Sequence, residues 1–139
     1  MVSAIALFCD DIREEKSGVV SAIGILPDNI NVASVPFIFP KLVIYARISF
    51  ETTGEPPRVI NLRLVHADNK EAPLTAFDEA IIQRGLRESQ EKGAANAGLV
   101  ATAIMSPFRV RQAGRINVVA KIDDKDIICG TLNIQLTKS

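Results

Sequence analysis

Leu42-Val43-Ile44-Tyr45-Ala46-Arg47-Ile48-Ser49-Phe50 is the stretch on which the fold turns. Leu42, Ile44, Ala46, Ile48 and Phe50 fall on one side of an extended chain, and Tyr45, Arg47 and Ser49 on the other. A period of two marks a strand with one face in a core and one face wet. Thr53-Gly54-Glu55-Pro56-Pro57 then turns the chain, and Val59 to His66 alternates again. Ile60, Leu62 and Leu64 point one way there, and Asn61 and Arg63 the other. Ala67 to Lys70 is a further turn, and the two strands read as a hairpin.

Working outward, the same pattern recurs. Val2 to Cys9 is apolar on both alternations, as in a strand covered on both faces. Asp10 to Gly18 reads as a charged turn, Val19 to Leu26 as the return strand, and Asn29 to Ala33 as a short strand. Pro36 and Pro40 hold Val35 to Pro40 extended and outside any central ladder. Phe77 to Ile82 reads as extended, and Gln83 to Ala95, rich in helix formers without period-two alternation, as one short surface helix broken by Gly93 or by Asn96 to Gly98. Leu99 to Met105, Ile116 to Ile122 and Ile127 to Leu136 close the chain as strands, the last two joined through Asp123 to Asp126. Seven or eight short strands with one inserted helix predict an all-β, two-sheet, immunoglobulin-like β-sandwich forming a single domain over residues 1–139. A closed barrel would show the same periodicity.

Composition narrows the function classes. The chain has 139 residues, 47% of them hydrophobic, which sets it apart from disordered chains. Sixteen Lys+Arg balance sixteen Asp+Glu, so the excess positive charge that drives nucleic-acid binding is missing. Aromatic residues are only 5%, which leaves few platforms for stacking bases. No apolar run approaches the ~20 residues that span a bilayer. The opening Met1 to Asp10 lacks the basic start of a secretory signal, and Phe8 is too bulky to precede a lipid-anchored Cys9. Cytoplasmic localisation is expected, with Cys9 and Cys129 as free thiols unless their strands prove to be neighbours.

Leu7-Phe8-Cys9-Asp10-Asp11-Ile12-Arg13-Glu14-Glu15, then Gly18 and Ser21-Ala22-Ile23-Gly24, resembles a group of short bacterial proteins of unknown function whose members open on such a hairpin. The stretch from Pro107-Phe108 through Gln112-Ala113-Gly114-Arg115 to Ile127, Ile128 and Gly130 is similar to that group's tail. It also looks like the last two strands of immunoglobulin-like sandwiches. The resemblance implies a cytoplasmic β-sandwich and transfers no functional residue.

Each chemical candidate has a structural counterpart. Asp10, Asp11, Glu14 and Glu15 could hold Ca²⁺, and would do so better if Asp123, Asp124 and Asp126 lay at the same end. Arg13 and Lys16 nearby favour a solvated turn with internal ion pairs instead. His66 is the only imidazole and, with no nucleophile motif beside it, reads as a half-buried structural residue. Phosphate loops and metal-spaced Cys/His pairs are absent. No catalytic residue, metal ligand or cofactor is therefore expected. Arg109 and Arg111, two apart, would share a strand face near Arg115 and present an anion-binding surface. Phe37, Ile38 and Phe39 are three large apolar residues in a row, so alternation leaves at least one outside as a partner patch. The sequence thus predicts a non-enzymatic domain that binds a protein partner or itself, using Phe37, Ile38, Phe39, Arg109, Arg111 and Arg115, with no role for nucleic acid or membrane. The alternatives are a small-ligand or calcium-binding sandwich using the acidic loops, and an enzyme of unrecognised class.

Overall fold

A computed structural model describes residues 2–137. In chain order the elements are β1 (Val2–Glu14), β2 (Val20–Ile25), β3 (Asn29–Val32), β4 (Phe37–Phe39), β5 (Leu42–Glu51), β6 (Ile60–Val65) and β7 (Glu71–Phe77). There follow α1 (Glu79–Glu91), β8 (Asn96–Met105), β9 (Phe108–Val110), β10 (Gly114–Ile122) and β11 (Lys125–Leu136). The strands form a four-stranded sheet in the order β2-β1-β5-β8, a five-stranded sheet in the order β3-β11-β10-β6-β7, and a two-stranded sheet of β4 and β9. The fold is all-β and sandwich-like, with one short helix.

The inner faces are those the alternation predicts. Leu42, Ile44, Ala46, Ile48 and Phe50 on β5 face Ile60, Leu62 and Leu64 on β6 through a core that also takes Ile116, Val118, Leu132 and Ile134. Burial of such side chains contributes roughly 1.5–3 kcal/mol each. On one long side the two sheets close directly: β1 lies against β11. A Cβ on Gly130 would stand 2.6 Å from the Ala6 carbonyl oxygen, so only glycine permits that approach.

Four expectations are corrected. The residues Asp10 to Glu14 belong to β1, with Asp11 opposite Ile23 and Glu14 opposite Val20. The turn shrinks to residues 15–19, closed by the Glu15 N–H donating to the Val19 carbonyl at 2.8 Å. β5 and β6 are not a hairpin, because β5 is flanked on both sides by β1 and β8. Residues 52–59 instead cross to the other sheet, where the Asp123 carboxylate accepts the Arg58 and Val59 N–H groups at 2.9 and 3.2 Å. The Ala67 to Lys70 turn joins β6 to β7. Of Phe77 to Ile82 only Phe77 lies in a strand, since Asp78 caps a helix by accepting the Ile81 N–H at 2.9 Å. That helix ends at Glu91, just before Gly93 at positive φ, the earlier of the two expected breaks. Finally, eleven strands stand among the described residues where seven or eight were expected; β4, β7 and β9 make up the difference.

On the second long side β7 and β8 are the facing sheet edges, and α1 fills part of the gap between them. Ile82 and Leu86, four apart on one helix face, join the core with Ala97 and Leu99. Thr52 ties this corner together: its hydroxyl bonds the Ala94 carbonyl at 2.7 Å, and Gln90 Nε2 donates to its carbonyl at 3.0 Å.

Candidate functional site

Register identifies which side chains share the solvent face of the four-stranded sheet, since residues directly opposite each other point the same way. One row runs Ile25, Cys9, Val43, Ile104 across β2, β1, β5 and β8. The next runs Leu7, Tyr45, Thr102, and the third Ile5, Arg47, Val100. Ile5, Ile25, Val100 and Ile104 are 57%, 56%, 49% and 63% exposed. Arg47 is the only charged side chain in these three rows. A wet sheet face is ordinarily polar on alternate residues. In these rows the outward residues are mostly apolar, with Cys9 and Val43 buried in the middle of the first row and Ile5, Ile25, Val100 and Ile104 exposed around them. On the outer face of Val2 to Cys9, Ile5 and Leu7 reach solvent while Cys9 is buried.

The edge of the same sheet adds a second feature. The Thr52 N–H donates to the Ala95 carbonyl at 2.9 Å, which sets the phase of the β5–β8 ladder. Odd-numbered β8 residues turn their peptide groups toward β5. Gly98, Val100, Thr102 and Ile104 turn theirs away, to the open edge. Beside that edge lies a slot of about 270 Å³, with Ile44, Ala46 and Leu62 as floor and Leu74, Thr75 and Val100 to Ala103 as walls. It is the part of the gap between β7 and β8 that α1 leaves unfilled.

The six residues singled out from sequence divide. Phe37 and Phe39 are half-buried against the core, their rings edge-to-face at 5.0 Å. Ile38 is 55% exposed and stands opposite Arg109 in the β4–β9 pair. The three arginines do not form one anion-binding surface. Arg111 is bonded to Asp68 through Nε at 3.0 Å. Arg115 sits on β10 beside Asp28, Asn29, Thr131 and Asn133, in a different cleft from Arg111. Asp68 also accepts the Lys70 N–H, and with the Arg111 guanidinium this lowers its carboxyl to about 2.

Among the described residues no three His, Cys, Asp or Glu side chains converge to hold a metal ion. The acidic groups go separate ways. Asp11 pairs with Lys41 at 2.8 Å, which holds its carboxyl below the ordinary range. Glu15 accepts the Ser21 hydroxyl at 3.0 Å, and Asp126 receives both terminal nitrogens of Arg63 at 3.2 Å. Cys9 and Cys129 are free, and burial pushes both thiols up, which keeps them protonated and weakly nucleophilic at neutral pH. His66 is half-buried and stacked on Phe108 at 5.4 Å. Burial, then the Arg111 charge, lowers its pKa, with Asp68 opposing.

What the sequence reading missed are Ile25, Val100 and Ile104. The signal was present in Leu99 to Met105, which like Val2 to Cys9 is apolar on both alternations. No helix among the described residues is long and apolar enough to cross a membrane. Residues 4–135 match the model of a family of unknown function, DUF6941, and the chain belongs to that family. No curated protein and no solved structure matches it.

Proposed function

We propose that the chain is a non-enzymatic, cytoplasmic interaction module. It works by non-covalent association with a protein, a second copy of itself included, through the solvent face of the four-stranded sheet. The observation that carries this reading is the set of four large aliphatic side chains on the outer face of β2, β1 and β8, Ile25, Ile5, Val100 and Ile104, each about half exposed or more. Contiguous apolar surface of this kind on a small domain marks an interaction site. The resemblance of the tail to immunoglobulin-like sandwiches supports the same role, since such sandwiches commonly serve as recognition modules. Ile38 and Arg109, side by side on the small sheet, provide a secondary contact.

The test is Ile5→Lys with Leu7→Lys, both on the solvent face of β1. Sedimentation velocity from micromolar to near-millimolar concentration, and capture from native lysate, are run on both proteins. Self-association or a captured protein that the double variant loses supports the reading. If the native chain is monomeric throughout and captures nothing that the variant fails to capture, the reading falls.

A further inference from the structure

We propose that β8 of one copy pairs antiparallel with β8 of a second copy. The two four-stranded sheets then join into one eight-stranded sheet in a two-fold dimer. This rests on the interaction-module reading, names a second copy as partner, and puts the self-contact at the edge of the same sheet rather than on its face.

The four-stranded sheet ends at β2 and β8, the five-stranded sheet at β3 and β7. Natural proteins blunt such edges with short strands, proline, bulges or charge, because a bare edge pairs with whatever strand arrives. Three of these four are blunted. β3 has four residues. β7 carries Pro73 and an irregularity opposite Leu62 and Arg63. β2 is six residues long and bent at Gly24, whose φ is +67° and where a Cβ would collide with the Asp10 carboxylate.

α1 packs against β8 at Ala97 and Leu99, and beyond that point β8 has none of these devices. It runs ten residues in regular register with β5, from Asn96 to Met105, with no proline and no ionisable side chain. The peptide groups of Gly98, Val100, Thr102 and Ile104 face the open edge. Among the described residues no hydrogen bond to another part of the chain takes them up.

Three features select a second copy as the occupant. A strand without charge can lie against itself in any antiparallel register without setting like charges opposite each other. The outward side chains Val100, Thr102 and Ile104 are all β-branched, the type that packs best as cross-strand pairs. A two-fold contact uses the same edge on both copies and thereby consumes it. Because the contact consumes β8 on both copies and the three other terminal strands of the two large sheets are blunted, assembly stops at two rather than growing into a fibre. Joining the sheets also makes the exposed Val100 and Ile104 of both copies one continuous apolar strip.

The experiment is sedimentation equilibrium on the full chain with four proteins: native, Thr102→Lys, Thr102→Pro and Ile5→Lys. Proline at position 102 removes an N–H that faces away from β5, so the internal ladder keeps its bonds. Lysine there is the milder variant, on an exposed side chain. The dimer constant is expected to weaken about tenfold or more in both position-102 variants, the scale of one or two lost hydrogen bonds plus a like-charge contact. Ile5→Lys, two strands away on the same face, should leave it nearly unchanged. Hydrogen exchange supplies the direct readout: amides of residues 98–104 gain protection as concentration rises. Dissociation by Ile5→Lys but not by either position-102 variant overturns the edge pairing and leaves the interaction reading intact, as face-to-face association. A native chain that stays monomeric at near-millimolar concentration also overturns the edge pairing. The interaction reading then stands or falls on its capture experiment alone.

Discussion

On one long side of the sandwich β1 lies against β11, with the bare Cα of Gly130 over the Ala6 carbonyl. On the other, β7 and β8 stand apart, a thirteen-residue helix fills part of the gap, and a slot of about 270 Å³ occupies the rest. The first closure depends on the absence of a side chain, the second on the presence of two, Ile82 and Leu86. The difference teaches where binding can reside. A side closed backbone to backbone has no room for a partner, whereas a side closed by an inserted helix leaves an edge strand and a cleft available. The apolar rows on the solvent face run from β2 to that same open edge.

The comparison can be broken most sharply at the helix. Ile82→Ala removes a fully buried side chain that holds α1 in the gap, and should destabilise the chain by about 3 kcal/mol in urea unfolding. A loss under about 1 kcal/mol would mean the helix merely covers the open side without supporting it. Gly130→Ala attacks the closed side. Its Cβ would meet the Ala6 carbonyl, and forcing the strands apart should cost about 2 kcal/mol. A neutral result there would show that β1 and β11 can slide apart freely, and the two sides would no longer differ in kind. Ala103→Leu goes the other way. It places apolar volume in the slot that Ala103 lines and should stabilise by about 1 kcal/mol in the same assay.

How much of this was legible beforehand follows the same division. Leu42 to Phe50 and Val59 to His66 announced their inner faces because strict alternation depends only on neighbours along the chain. Which strands pair depends on residues far apart in sequence, so the supposed hairpin of β5 and β6 dissolved once β1 and β8 took both edges of β5. The three-residue strands β4 and β9 are too short to show a period. The start of α1 was decided by one capping carboxylate, Asp78. For the site, the double apolar pattern of Val2 to Cys9 was visible, but exposure is a property of what lies above a sheet, which no local pattern encodes. The arginine group misled for a similar reason: Arg111 is taken up by Asp68, forty-three residues earlier in the chain.

The end of the sandwich at β9 offers the smallest effect and a third kind of closure, because it is made of rings. His66, after β6, stacks on Phe108, which in turn lies 6.4 Å from Phe39 of β4. Burial and the nearby Arg111 favour the neutral imidazole in the folded chain, so its folded pKa lies below the ordinary value of 6.5. In the unfolded chain that value is restored, and the unfolded state therefore takes up the proton first as pH falls. The stability held by neutral His66 is complete above pH 6.5 and diminishes as pH drops through 6.5 toward the folded pKa. The melting temperature should fall slightly between pH 7.5 and pH 5.5, by less than any substitution above produces, since the ring is only half-buried and water screens its charge. In His66→Gln that slope should flatten while the pH 7.5 value drops through loss of the stack. An unchanged slope would place the acid sensitivity elsewhere. At lower pH the Asp68 carboxyl, held at about 2 by Arg111, loses its stabilising charge between its ordinary value of 3.8 and about 2, alongside the lowered carboxyls of Asp11 and Asp126.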